Sequence, residues 1–225
     1  MALTVDSMAQ LHRHNEHVRY VVVFQNWLKP AGASFDHLHK QVVAIDEVGA
    51  DNESVLPKAV LDPGIFNRWG PDFAVEHGLV LACNDGAVMT VGFGHHYPSV
   101  EVWSTSRVDQ PWRVDDEGID AVSDLLHAAH VAVSDDVPAN EEWHYRPMGT
   151  GVPVPWRIIL KLRTSTLAGF EGGTKIYVNT ISPTTLAAML LPKLFEARAA
   201  GRIAAMNLGD ECEIPRGVLA VTRER

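Results

Sequence analysis

Arg19 to Gln25 (RYVVVFQ) is an unbroken β-branched and aromatic run, the pattern of a buried strand. The more polar segment before it, Asp6 to Val18, predicts a short helix with Asp6 or Ser7 as N-cap. Asn26 to Phe35, with Pro30 and Gly32, predicts a loop, and His37 to Ile45 (HLHKQVVAI) a second strand, giving a hairpin-like unit. From Asp46 to about Ala74 the periodicity fades under Gly49, Pro57, Pro63, Gly64, Gly70 and Pro71, which predicts a linker with at most a short helix. Strand patterns return at Gly78–Cys83, Ala87–Phe93 and Ser99–Ser104, with Asn84-Asp85-Gly86 as a hairpin turn. Asp115 caps a predicted helix reaching about Ser134, with Ile119, Val122, Leu126, Ala129 and Val133 along one face. Trp156–Arg163 and Lys175–Thr180 read as two further strands. Ser182-Pro183 opens a last helix, which Pro192 should kink or split.

This order, antiparallel hairpins with segregated helices, predicts an α+β fold with antiparallel sheets and flanking helices, not a doubly wound parallel sheet. Three units are expected: residues 1–47, a linker over 48–75, and 76–225. Two strands and a helix cannot close a core, so the first unit either packs on the last or has lost an N-terminal half. Composition adds little to this picture: 46% of the 225 residues are apolar and 21% charged, as in ordinary globular domains. Charge excludes more, since 28 acids against 19 bases give −9, a poor balance for nucleic-acid binding. No apolar run approaches the roughly 20 residues of a membrane span. No secretory leader opens the chain and its two cysteines are isolated, so a reducing cytoplasm is the simplest compartment.

The chemistry concentrates in Phe24 to Gln41, FQNWLKPAGASFDHLHKQ. On a strand starting at His37, side-chain alternation puts His37, His39 and Gln41 on one face. In the loop before it, Gly32 and Ala33 permit close backbone approach, Ser34 adds a hydroxyl, and backbone N–H groups can hold phosphate oxygens. A neutral imidazole facing a phosphate can act as nucleophile, and an amide two residues on can stabilise the developing charge. Spacing alone favours partly exposed strand histidines bonded to their neighbours, because paired histidines at period two are not rare.

The stretch resembles the active-site motif of the galactose-1-phosphate uridylyltransferases of the histidine triad superfamily, F-E-N-x-G-x-x-x-G-A-S-x-x-H-P-H-x-Q. Phe24, Asn26, Gly32, Ala33, Ser34, His37, His39 and Gln41 match without a gap. Gln25, Leu28 (Gly in the family) and Leu38 (Pro in the family) depart, and the Leu-for-Pro form looks like a bacterial branch. The resemblance implies that His39 takes the nucleoside monophosphate and that Gln41 contacts its phosphate, with Asn26 and Ser34 holding the nucleotide's phosphates. It places His37 at a position that binds zinc in some members, so zinc is an expected cofactor with an incomplete ligand set. A second stretch, Leu162 to Pro183, resembles the family's late A-G-F-E-x-G-T-x-x-Y-x-N-x-x-P segment through Ala168, Gly169, Phe170, Glu171, Gly173, Thr174, Tyr177 and Asn179, with Pro183 one residue beyond the pattern's proline. There Phe170 and Glu171 fall on sugar-phosphate contacts, and Lys161, Arg163 and Lys175 could offset a phosphate charge.

Two differences accompany the resemblance. Where the family commonly has histidines before the late segment, this chain has Trp156-Arg157-Ile158-Ile159-Leu160-Lys161. The family's N-terminal half, with the nucleoside pocket and most zinc ligands, has no counterpart, which makes 1–47 a remnant of a catalytic domain and 76–225 a second histidine-triad-like domain. The implied activity is transfer of a nucleoside monophosphate, UMP foremost, between a nucleotide sugar and a sugar 1-phosphate through a nucleotidyl-histidine. Family analogy suggests a homodimer. The alternatives are a phosphorylase or hydrolase of the same superfamily, or a non-catalytic fragment that needs an N-terminal half. Elsewhere, His95-His96 should point to opposite faces, so that at most one enters a site. His127 and His130, and His12, His14 and His17, read as helix-surface residues, and Trp103, Trp112, Trp143 and Trp156 as core or interface residues.

Overall fold

A computed structural model describes residues 1–35 and 37–219. In chain order the elements are α1 (Ala2–His14), β1 (Tyr20–Trp27), β2 (Lys40–Ile45), α2 (Ala50–Leu61), α3 (Ile65–Arg68), α4 (Pro71–Glu76), β3 (Val80–Cys83), β4 (Ala87–Gly92), β5 (Ser99–Ser104), α5 (Asp116–Val133), β6 (Ala139–His144), β7 (Arg157–Leu162), α6 (Gly169–Thr174), α7 (Pro183–Ala199) and β8 (Asn207–Leu208). The described strands form one antiparallel sheet in the order β2-β1-β6-β7-β5-β4-β3-β8. The architecture is the expected α+β type.

One face of the sheet carries Val21, Val23, Trp143, Ile158, Leu160, Val100, Val102, Met89 and Val91 into the core. Helix α5 covers it with Ile119, Val122, Leu125, Leu126, Ala129 and Val133, held by the Asp115 carboxylate accepting from the Gly118 N–H. Helix α7 adds Leu186, Leu190 and Leu194. It starts as expected, with Ser182 accepting from Thr185 N–H, and continues through Pro192 without splitting, buried Leu190 and Leu194 anchoring it on both sides. The opposite face is polar at one end, and that end forms the site.

The hairpin does not stand apart, because β1 pairs with β6 over Phe24–Glu142 to Trp27–Ala139. Strand β6 (ANEEWH) was not foreseen, since two adjacent glutamates conceal its alternation. Buried Tyr145 ties the same joint: its hydroxyl accepts from the Val21 N–H and donates to the Val21 C=O, each at 2.8 Å.

Three expectations change. Residues 48–75 hold α2, α3 and the start of α4 rather than a linker. Pro63-Gly64 separates two of these helices and Pro71 occupies the first turn of α4, so these breakers mark boundaries, whereas Pro57 lies within α2. Helix α1 begins at Ala2, with Asp6 and Ser7 inside it, because burial of Val5 and Met8 sets its span and Met1 caps without a side-chain bond. Lys175–Thr180 is not a strand: β7 already has β6 and β5 on its two sides, leaving no neighbouring edge, and Ile176 and Val178 are exposed.

Tyr145→Phe leaves two buried backbone groups of Val21 without their partner. It should lower unfolding free energy by about 2 kcal/mol, measured by urea denaturation.

Candidate functional site

The 28–34 loop is folded on itself. The Leu28 carbonyl accepts from the N–H groups of Ala31 and Ala33, and the Lys29 carbonyl from that of Gly32. These three donors, expected to face a phosphate, are thus engaged within the turn. Gly32 has φ 87°, which suits glycine, but Leu28 has φ 64° and ψ 156°, a region nearly closed to side chains. That is the position at which the related motif has glycine. Asn140 of β6 pins the turn by donating to Asn26 Oδ1 (2.7 Å) and to the Ala31 carbonyl (2.8 Å).

Strand β2 starts at Lys40, so His37 and His39 precede it and alternation does not place His37 on the Gln41 face. Gln41 lies opposite Phe24, and continuing that register by one position past Gln25–Lys40 brings His39 across from Asn26. His39 Nδ1 is 2.7 Å from the His37 carbonyl, and its ring stacks on Phe35 at 4.7 Å. A carbonyl only accepts, so Nδ1 carries the proton and the neutral ring keeps its lone pair on Nε2.

Across the sheet Asn26 pairs with Asn140, Asn140 with Lys161, and Lys161 with Ser99, making a polar row on one face. Above it lies a cavity of about 580 Å³ whose walls include Asn26, Asp51, Asn140, Glu142, Lys161 and Arg163. Tyr177 of the late segment closes it, stacked on His96 with centroids 3.4 Å apart. Lys161 Nζ donates to Glu142 Oε2 at 2.6 Å. Burial raises the Glu142 pKa, but neighbouring His144 and the Lys161 ammonium outweigh it and hold the carboxyl at about 2. Contrary to expectation, His95 and His96 both line this cavity, because Gly94 at φ 72° turns the chain between β4 and β5.

Of the residues expected from sequence, Asn26 and Lys161 therefore share a wall. His39 and Gln41 lie at the neighbouring sheet edge, next to the turn that carries Gly32, Ala33 and Ser34. Phe170, Glu171 and Lys175 are not on the cavity wall: Glu171 accepts from Ala168 N–H at the start of α6, and Phe170 and Lys175 are exposed. Asn140, Glu142 and Asp51 were missed with β6 and α2. Among the described residues no group of three His, Cys, Asp or Glu side chains is placed to hold a metal; His37 is exposed, and no step below uses a metal.

The reverse face of the motif is anchored too. Lys40 and Trp143 Nε1 both donate to buried Glu141 Oε1, and His130 of α5 reaches its Oε2 at 3.1 Å. Burial raises the Glu141 pKa, but His130 and Lys40 together hold it at about 2.

A family model, "Domain of unknown function (DUF4921)", matches residues 1–221. The chain belongs to this DUF4921 family. No curated protein matches it. Among solved structures, this family member is similar to an ADP-glucose phosphorylase from Arabidopsis thaliana with bound ADP-glucose (TM-score 0.72, 21% identity, 84% of this chain and 64% of that one). A GalT-like protein from Arabidopsis thaliana gives TM-score 0.71 and 20% identity over 84% of this chain and 67% of that one. A uridylyltransferase mutant gives 0.70 and 17% over 87% and 69%. The DUF4921 chain thus has the uridylyltransferase-type fold and spans about two thirds of the length of these structures.

Two measurements test the geometry. Leu28→Gly and Leu28→Ala both remove the side chain, but only glycine relieves the backbone, so the Gly variant should be the more stable by about 1 kcal/mol in denaturant titration. Glu141 has its folded pKa depressed from 4.5 to about 2, so its contribution is complete above about 4.5 and is lost as pH falls towards about 2. Acid titration of Glu141→Gln should show a shallower loss of stability over that window than the wild type.

Proposed function

We propose that this chain carries a nucleotidyl-transfer site that uses His39 as nucleophile on a nucleotide sugar. The observation that carries the reading is the His39 Nδ1–His37 carbonyl bond, which leaves Nε2 with its lone pair. Nε2 attacks the α-phosphorus; the N–P bond forms as the bond from that phosphorus to the bridging oxygen breaks, and sugar 1-phosphate leaves with the electron pair. An anionic acceptor oxygen then attacks the same phosphorus, and the pair of the N–P bond returns to Nε2. Gln41 donates to a non-bridging oxygen, Asn26 and Ser34 hold phosphate oxygens, and Gly32 and Ala33 let the ligand approach the turn. Lys161, with Arg163, faces the sugar-phosphate end. Phe170, Glu171 and Lys175 remain sugar-phosphate contacts by the resemblance of the late segment alone.

UMP as the transferred group, with a sugar 1-phosphate as acceptor, is the form the motif supports. A phosphorylase, with inorganic phosphate as acceptor, is the second reading, favoured by the likeness to the ADP-glucose phosphorylase fold.

Intact-mass spectra after mixing with UDP-glucose, and separately with ADP-glucose, under alkaline quench should show a gain of one nucleoside monophosphate that His39→Asn loses. The nucleotide giving the gain identifies the base. Lack of any gain with both sugars would remove the chain alone as the catalyst.

A further inference from the structure

The Gly92–Tyr97 turn belongs to neither motif, yet it delivers an imidazole with a buried carboxylate behind it. His95 Nε2 lies 3.0 Å from Glu101 Oε1, and Glu101 is 3% exposed. Arg157 Nη1 reaches the same oxygen at 3.3 Å. Burial alone would raise the Glu101 pKa, but His95 and Arg157 bring it below the ordinary value, so the carboxylate is ionised and only accepts. The His95 Nε2 therefore carries the proton, and Nδ1 has no protein partner among the described residues. Gly92 is what lets the ring lie here: a Cβ there would stand 2.7 Å from His95 Cδ2 and 2.9 Å from Nε2. The ring forms part of the cavity wall that also holds Asn26, Lys161 and Arg163.

We infer that His95, held by Glu101, is the contact that selects a tetrahedral dianion, a phosphate monoester or inorganic phosphate, in this cavity. With Nε2 bonded to the carboxylate, Nδ1 is the ring atom left to meet the anion, and from the imidazolium form it donates a charge-assisted bond. On the cavity side the ring shares the wall with Lys161 from β7, Glu142 from β6, Asp51 from α2, and Arg163, His96 and Tyr177, while Glu101 from β5 lies behind it with Arg157 from β7 and His144 from β6 as its charged neighbours. Burial, with Lys161 and His95, lowers the His96 pKa and favours its neutral form, and burial likewise lowers that of His144. Of the two imidazoles that line the cavity, His95 is the one with a carboxylate in direct contact. Calling the anion the second substrate rests on the transfer reading above; the anion site itself does not.

Sulfate is a suitable probe, because it stays a dianion where phosphate titrates. Calorimetry on the full chain would be run at about pH 6 and about pH 8, on either side of the ordinary imidazole value. The wild type should bind sulfate about tenfold more tightly at the lower pH. His95→Asn should bind about tenfold more weakly at the lower pH and lose the pH dependence. Glu101→Gln, which keeps the ring's neighbour in shape, should bind between the two at the lower pH, with circular dichroism checking that both variants fold. No sulfate binding by the wild type, or a folded His95→Asn variant with wild-type affinity and pH dependence, would overturn the assignment. Sulfate binding that depends on His95, in a chain forming no adduct at His39, would leave the anion site standing and sink the transfer reading instead.

Discussion

The site depends on one pairing, that of β1 with β6. Without it residues 20–45 are a two-stranded hairpin, which is marginal in water. With it, the motif joins a sheet backed by α5 and α7. The joint also aligns the chemistry. Asn140 stands opposite Asn26 in register and bonds both its side chain and the Ala31 carbonyl, so a single amide sets the strand, the turn and the start of the cavity. Amide bonds of this kind each contribute about 1 kcal/mol, but here two converge on a turn that must also hold Leu28 in a costly conformation.

Strand β6 divides its two glutamates between the faces of the sheet. Glu141 points towards α5 and anchors Lys40, the residue between His39 and Gln41. Glu142 points into the cavity and orients Lys161. Both are ionised and paired, which resolves the cost of placing carboxylates in a sheet interior. A buried pair is a weak source of net stability, yet removing one partner leaves a charge with nothing to balance it. Their value is positional: the reverse-face cluster fixes the strand bearing Gln41, while the front-face pair keeps a cation on the cavity wall.

Much of this was legible in residue order. The β1, β3, β4, β5 and β7 patterns, the Asp115 and Ser182 caps and the apolar face of α5 follow local rules that burial did not override. Of the residues the gapless motif singles out, Asn26 stands on the cavity wall and Gln41 on the neighbouring edge strand. What local reading lost was set by partners distant in sequence. Strand β6 hides because Glu141 is buried by Lys40, about a hundred residues away, so its alternation does not look apolar. Lys175–Thr180 has strand composition but no free edge beside β7. His95 and His96 reach one cavity because Gly94 leaves extended backbone, so the rule of opposite faces does not apply.

Two of the three departures within the motif, Leu28 and Leu38, have different physical standing. At position 28 a side chain occupies backbone space suited to glycine, so the turn is kept at a cost met by its own hydrogen bonds and by Asn140. At position 38 a proline would restrict the backbone between the two histidines, and Leu38 does not. The orientation of His39 is instead carried by the bond from its Nδ1 to the His37 carbonyl and by the Phe35 ring against it. A backbone acceptor is present whatever residue stands at 37 or 38, so the tautomer that frees Nε2 survives the loss of proline. What loosens is the segment's rigidity, and the Lys40–Glu141 pair immediately after it restrains the chain at the next position.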